Sequence, residues 1–211
     1  QAYRLVHLRH RDQRMIAAEA AFRAGEMFRT AGADERAREE FEVACERDPL
    51  PDPSRVRGAD FGVRARLELG HLARRRGESL SASKNYEEVV TKFAAAPRRR
   101  AEAGYWYARM LIVEGDLETA RRWFARVAQA SAFDVDPLLR VRAFDFWART
   151  FVCAGDVGGA VGVLELCRQE LAPIMKERSV LGTRVTAALA RMGARKLTCD
   201  LIRERHEEQA R

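Results

Sequence analysis

The residues of this 211-residue sequence best placed for chemistry stand at a fixed offset from a recurring glycine. Six residues before Gly77, Gly115 and Gly155 come His71, Arg109 and Arg149, and Glu26 and Ala187 hold the same offset before Gly32 and Gly193. A guanidinium presents a planar fork matched to carboxylates, so such a row points to the binding of anions rather than to a reaction. Arg64, Arg74 and Arg142 fall on the same helical faces, and Tyr105 adds an aromatic surface. The competing reading is that these cations pair with nearby acids such as Glu68, Glu102 and Asp145, where exposed pairs contribute little.

Nothing in the sequence supports catalysis. It has no G-x-S-x-G, no glycine-rich phosphate loop, and no histidine between His71 and His206, so no nucleophile–histidine–acid set is visible. His7 and His10 could share a metal, but no third ligand follows at a suitable spacing, and neither metal nor cofactor is expected. Cys45, Cys153, Cys167 and Cys199 lack C-x-x-C spacing. They are expected as unpaired thiols, three of them on or beside apolar stripes, which leans toward a reducing compartment. Arg74–Arg76 closes a helix, where positive charge suits the macrodipole, whereas Arg98–Arg100 follows Pro97 at a helix start and is the better anion contact.

The net charge of +7 can attract nucleic acid, anionic lipid or acidic protein. Only Lys84, Lys92, Lys176 and Lys196 among the 38 basic residues are lysine, a bias that a GC-rich genome produces by itself. Hydrophobic content of 47% with 33% charge suits a folded helical chain. No run of 18 apolar residues predicts a membrane span. The chain begins at Gln1 and is expected to be an excised part of a longer protein.

These side chains need helices to position them, and the sequence supplies punctuation for helices throughout. Gly32, Gly77, Gly115, Gly155 and Gly193 mark turns separated by 45, 38, 40 and 38 residues, and Pro53, Pro97, Pro137 and Pro173 mark helix starts. Two punctuation series sharing one period define an internal repeat. Hairpins are predicted at about 1–47, 53–93, 97–131, 137–172 and 173–209, within one domain over 1–211. In Pro97–Phe133, Tyr107, Ala108, Leu111 and Ile112 make one stripe and Leu117, Ala120, Trp123, Phe124 and Val127 the next. No alternating apolar run predicts a strand.

Around each turn glycine one order recurs. Gly25, Gly70, Ala108 and Ala148 stand seven before it, Ala37, Ala82, Ala120 and Ala160 five after, and Phe41, Tyr86, Phe124 and Leu164 nine after. The fifth unit departs, with Thr186 and Thr198 at the small positions. This order resembles the tetratricopeptide repeat over about Ala18–Ile202. The resemblance implies an all-α, right-handed α-solenoid of about five antiparallel hairpins whose first helices line a concave groove. Family members bind extended or helical peptides there.

It therefore implies a non-enzymatic protein–protein interaction scaffold. Its groove residues would be Arg64, His71, Arg74, Tyr105, Arg109, Arg142 and Arg149, and its partner an acidic peptide or protein. The family's clamp for chaperone C-termini needs asparagines on these helices, and the only asparagine is Asn85, on a second helix. The window Tyr86–Val127 also looks like repeats of bacterial cell-envelope proteins. That likeness offers the alternative of a non-catalytic helical domain in a larger envelope enzyme such as a lytic transglycosylase, and it favours the periplasm slightly over the cytoplasm. A nucleic-acid partner is disfavoured, because charge alone speaks for it.

Overall fold

A computed structural model describes residues 13–48, 60–93, 96–130, 135–176 and 180–194. Among them the chain is all-α, with helices α1 (Arg14–Thr30), α2 (Asp34–Arg47), α3 (Phe61–Arg75), α4 (Ser79–Lys92), α5 (Pro97–Glu114), α6 (Leu117–Ala128), α7 (Pro137–Cys153), α8 (Val157–Lys176) and α9 (Val180–Ala194). None is long and apolar enough to cross a membrane.

Four hairpins share one turn. Gly32, Gly77, Gly115 and Gly155 take φ of 73°, 74°, 91° and 77°. The N–H of the residue after each glycine then reaches back to a carbonyl of the finished helix. Ala33 bonds Phe28 O, Glu78 bonds Ala73 O, Asp116 bonds Leu111 O and Asp156 bonds Phe151 O, each at 2.9 Å. This is the Schellman closure, which satisfies carbonyls that the helix end would leave orphaned. In two hairpins the residue after the glycine also caps the next helix: Asp116 accepts from Thr119 N at 3.0 Å and Asp156 from Gly159 N at 2.7 Å.

The chain forms two compact units, residues 1–103 and 104–211, with the division inside α5. In the first, α1 packs on α2 and α3, and α3 packs on α2 and α4. Its core joins Ala18, Ala21 and Phe22 of α1 to Ala37, Phe41 and Ala44 of α2 and to Phe61, Ala65 and Leu69 of α3. A Cβ on Gly25 would lie 2.6 Å from the Phe41 ring, and one on Gly70 2.6 Å from the Tyr86 ring. The small residue seven before the turn therefore receives the ring nine after it, and both rings are fully buried. In the second unit α6 packs on α7, α7 on α8, and α9 on both α7 and α8. Tyr105, Phe124 and Phe146 cluster there at centroid separations of 5.4–5.9 Å.

The helix bounds correct several expectations. Pro173 does not open a helix but lies inside α8, on its exposed side, where water can serve the carbonyl that loses its partner. Gly193 likewise lies within α9 rather than at a turn. The second hairpin's first helix begins at Phe61 after Asp60; Pro53 lies outside the described residues, as do Phe133 and positions 195–209 of the fifth predicted hairpin. Leu164 is only half-buried, and Val163, Cys167 and Leu171 form the buried stripe of α8 instead.

The cysteine reading also changes. Cys45 and Cys167 are free and buried, but Cys153 is disulfide-bonded.

The α2–α3 junction is the tightest point of the first unit. Gly62 N donates to Asp48 Oδ2 at 3.1 Å and Cys45 Sγ donates to Gly62 O at 3.5 Å, so a Cβ on Gly62 would sit on the Asp48 carbonyl oxygen. Gly62→Ala should therefore destabilise by about 3 kcal/mol, because backbone rather than a movable side chain must yield. Gly32→Ala, which meets only a strained φ with nothing within 4 Å, should cost about 1 kcal/mol. Urea denaturation of the two variants measures the difference.

Candidate functional site

In the first unit the predicted cations sit in a charge-balanced face built by α1, α3 and the start of α5. The Arg64 guanidinium lies over the Phe22 ring, 4.2 Å from its centroid, and 3.7 Å from Glu26. Burial, and after it the neighbouring Arg99, lowers its pKa. Arg29 meets Glu68 at 3.5 Å, and Arg99 meets Glu102 at 3.3 Å and Asp60 at 3.9 Å. Glu68 itself is raised above the usual carboxylate range by burial, with Arg29 opposing. The face thus carries acids interleaved with its bases, which is the pairing alternative for those residues.

His71 is half-buried against Tyr86. Its Nδ1 lies 2.8 Å from the Tyr86 hydroxyl, its ring meets that of Tyr86 edge-on at 5.5 Å, and its Nε2 is 4.0 Å from Glu102. Burial depresses its pKa to about 4, helped by Arg74, Arg75 and Arg29, so the ring is neutral at physiological pH and adds no charge for an anion. Arg74 approaches the same Tyr86 hydroxyl, whose pKa burial pushes up.

The second unit is arranged differently. The Arg109 guanidinium of α5 lies 4.8 Å from the Phe146 centroid and 5.4 Å from that of Trp106. Arg149 of α7 lies 5.4 Å from the same Phe146 ring and 3.4 Å from Asp145. Two guanidiniums thus share one phenylalanine, an arrangement favoured by the negative face of the ring. Arg142, two turns before Arg149, is exposed. No carboxylate among the described residues lies within ion-pair distance of it. Tyr105 does not present its ring: it is 3% exposed, packed edge-on against Trp106, Phe124 and Phe146. Burial raises its pKa, with Arg109 opposing.

The two arginine runs also resolve. Arg75 pairs with Asp34 at 3.3 Å, and Arg76 with Glu35 and Glu78 at 2.6 and 2.9 Å. In Arg98–Arg100, Arg99 is ion-paired and Arg100 Nε donates to Val90 O at 2.8 Å. Only Arg98 of that run is exposed. His7 and His10 lie outside the described residues, within which no cluster of three or more metal-ligating side chains occurs.

One device escaped the reading of spacing. Arg100 stands three residues after Pro97, and Arg140 three after Pro137. Arg140 Nε donates to Ala128 O at 2.8 Å while its NH2 meets Glu170 at 2.9 Å. Each arginine thus bonds a carbonyl near the end of the preceding helix, α4 or α6. The sequence signal was Pro-x-x-Arg, present twice. No protein-family model matches the chain, and neither does any curated protein.

The His71 environment has a pH signature. Because the folded ring binds its proton only near pH 4 and the unfolded ring near pH 6.5, the unfolded state takes up more protons between those values. Stability should therefore be complete above about pH 6.5 and fall as the pH drops toward 4, by roughly 2–3 kcal/mol from this residue. Urea midpoints across that range, compared between wild type and His71→Gln, should show the slope reduced in the variant.

Proposed function

We propose that this chain is a non-enzymatic interaction scaffold of the tetratricopeptide-repeat kind. On this reading its second unit takes an acidic peptide or protein segment on the face shared by α5 and α7. The supporting observation is the pair of guanidiniums on Phe146, with the exposed Arg142 on the same helix as Arg149. A guanidinium packed against an aromatic ring has already lost some of its freedom, so a carboxylate that binds it orders less. Arg149 is buried and meets Asp145 at 3.4 Å, so the charge offered to a partner centres on the half-buried Arg109 and the exposed Arg142. Tyr105 serves the core here, so the aromatic stacking that a single-strand nucleic-acid surface needs is not supported.

A second reading has its own support. The disulfide at Cys153 suits an oxidising compartment, as expected for a helical domain belonging to a larger cell-envelope protein. The two readings are compatible, since such a domain can also bind a partner through this face.

Selection of a random-peptide display library on the full chain tests the binding reading. Enrichment of Asp and Glu is expected. The chosen peptides should bind Arg109→Gln/Arg142→Glu about tenfold or more weakly and lose affinity with added salt. Circular dichroism establishes that the variant is folded. Selection without acidic enrichment, or equal binding to the variant, overturns the assignment.

A further inference from the structure

One side of α8 is occupied within the chain: Ala160, Val163, Cys167 and Leu171 are buried there, and α8 packs on α7 and α9. The other side carries exposed apolar surface, with Val157 62% and Val161 45% exposed. Glu165 and Arg168 follow on that side and are exposed as well. We infer that this side of α8 pairs, antiparallel and across a two-fold axis, with α8 of a second copy of the chain.

The spacing is that of a helix seam. Gly158, Val161, Glu165, Arg168 and Ala172 follow one another at intervals of three, four, three and four residues, the repeat that keeps one line of a helix against a partner helix. Packing inside the chain does not ask for it. A Cβ on Gly162 would meet nothing within 4 Å, and one on Gly158 only an Asp156 oxygen at 3.7 Å. Glycine weakens a helix interior, and what the two glycines offer in return is bare backbone that a neighbour can approach.

Charge selects the occupant. Glu165 and Arg168 stand about one turn apart in the middle of the seam, and among the described residues neither has an ion-pair partner. Two copies of α8 running parallel would set carboxylate against carboxylate and guanidinium against guanidinium, which repel. Running antiparallel about the midpoint between the two residues, they set Glu165 against the partner's Arg168 and Arg168 against the partner's Glu165. The same register places Val161 opposite the partner's Ala172 and Gly158 opposite the partner's Met175, so the outer layers are apolar or small. A two-fold contact repeats every such pair, and a face complementary to itself needs only a second copy. One helix from each copy lies at the small end of specific interfaces, so the dimer is populated at high concentration. The α5 and α7 arginines are not part of this face, and the inference does not rest on the peptide reading.

Sedimentation equilibrium of the full chain between ~5 and ~500 μM tests the pairing. The weight-average mass should rise with concentration toward twice that of the monomer. Glu165→Arg and Arg168→Glu, each of which sets like charges face to face, should weaken association about tenfold or more, and the two together should restore it. Val161→Asp should hold the chain monomeric. Circular dichroism establishes that these exposed positions have been changed without loss of the fold. A monomer mass across the whole range overturns the assignment and leaves the face to a different protein. Single reversals that leave the dimer intact overturn it too, as does a double reversal that fails to restore it.

Discussion

A glycine backbone turned to positive φ directly after a helix sets the geometry of every hairpin described. At Gly32, Gly77, Gly115 and Gly155 that turn lets the next N–H bond back into the helix just finished. The chain reverses within a few residues, and the following helix lies along the one before it. An L-residue at such a φ costs about 1–2 kcal/mol, so the turn fixes where glycine stands. The turn also fixes which side chains meet. In the first two hairpins the residue seven before the glycine faces the residue nine after it, a glycine against a buried ring.

Burial then decides what the basic residues mean. A spacing rule treats His71, Arg109 and Arg149 alike, since each stands six before a turn glycine. Their surroundings differ. His71 is held neutral against Tyr86, whereas Arg109 and Arg149 set a guanidinium against an aromatic ring. Desolvation removes charge from an imidazole far more readily than from a guanidinium, whose proton is bound too tightly to lose. Offset alone cannot see that distinction.

The helical repeat was legible because two kinds of punctuation agreed: glycines that close helices and prolines that open them. In the fifth unit the reading failed. Pro173 was absorbed into α8, and Gly193, with no small-residue and ring partners at its offsets, lies inside α9. The candidate site was legible in composition but not in depth. Tyr105 reads as an available aromatic from its position on the helix face, yet Phe124 and Phe146 on neighbouring helices enclose it. Contacts made by residues twenty or forty positions apart leave no local pattern.

The Pro-x-x-Arg pairs carry a consequence for how such a chain could grow. Arg100 and Arg140 each belong to the helix that opens a new hairpin, yet bond a main-chain carbonyl of the helix before it. A main-chain acceptor makes no demand on the identity of the residue that offers it. A segment beginning with this tetrapeptide therefore brings its own fastening, and can be joined behind any helix that ends with a carbonyl in reach. Duplication of such a cassette needs no matching change upstream, so the joint tolerates sequence drift that a side-chain-to-side-chain joint would not.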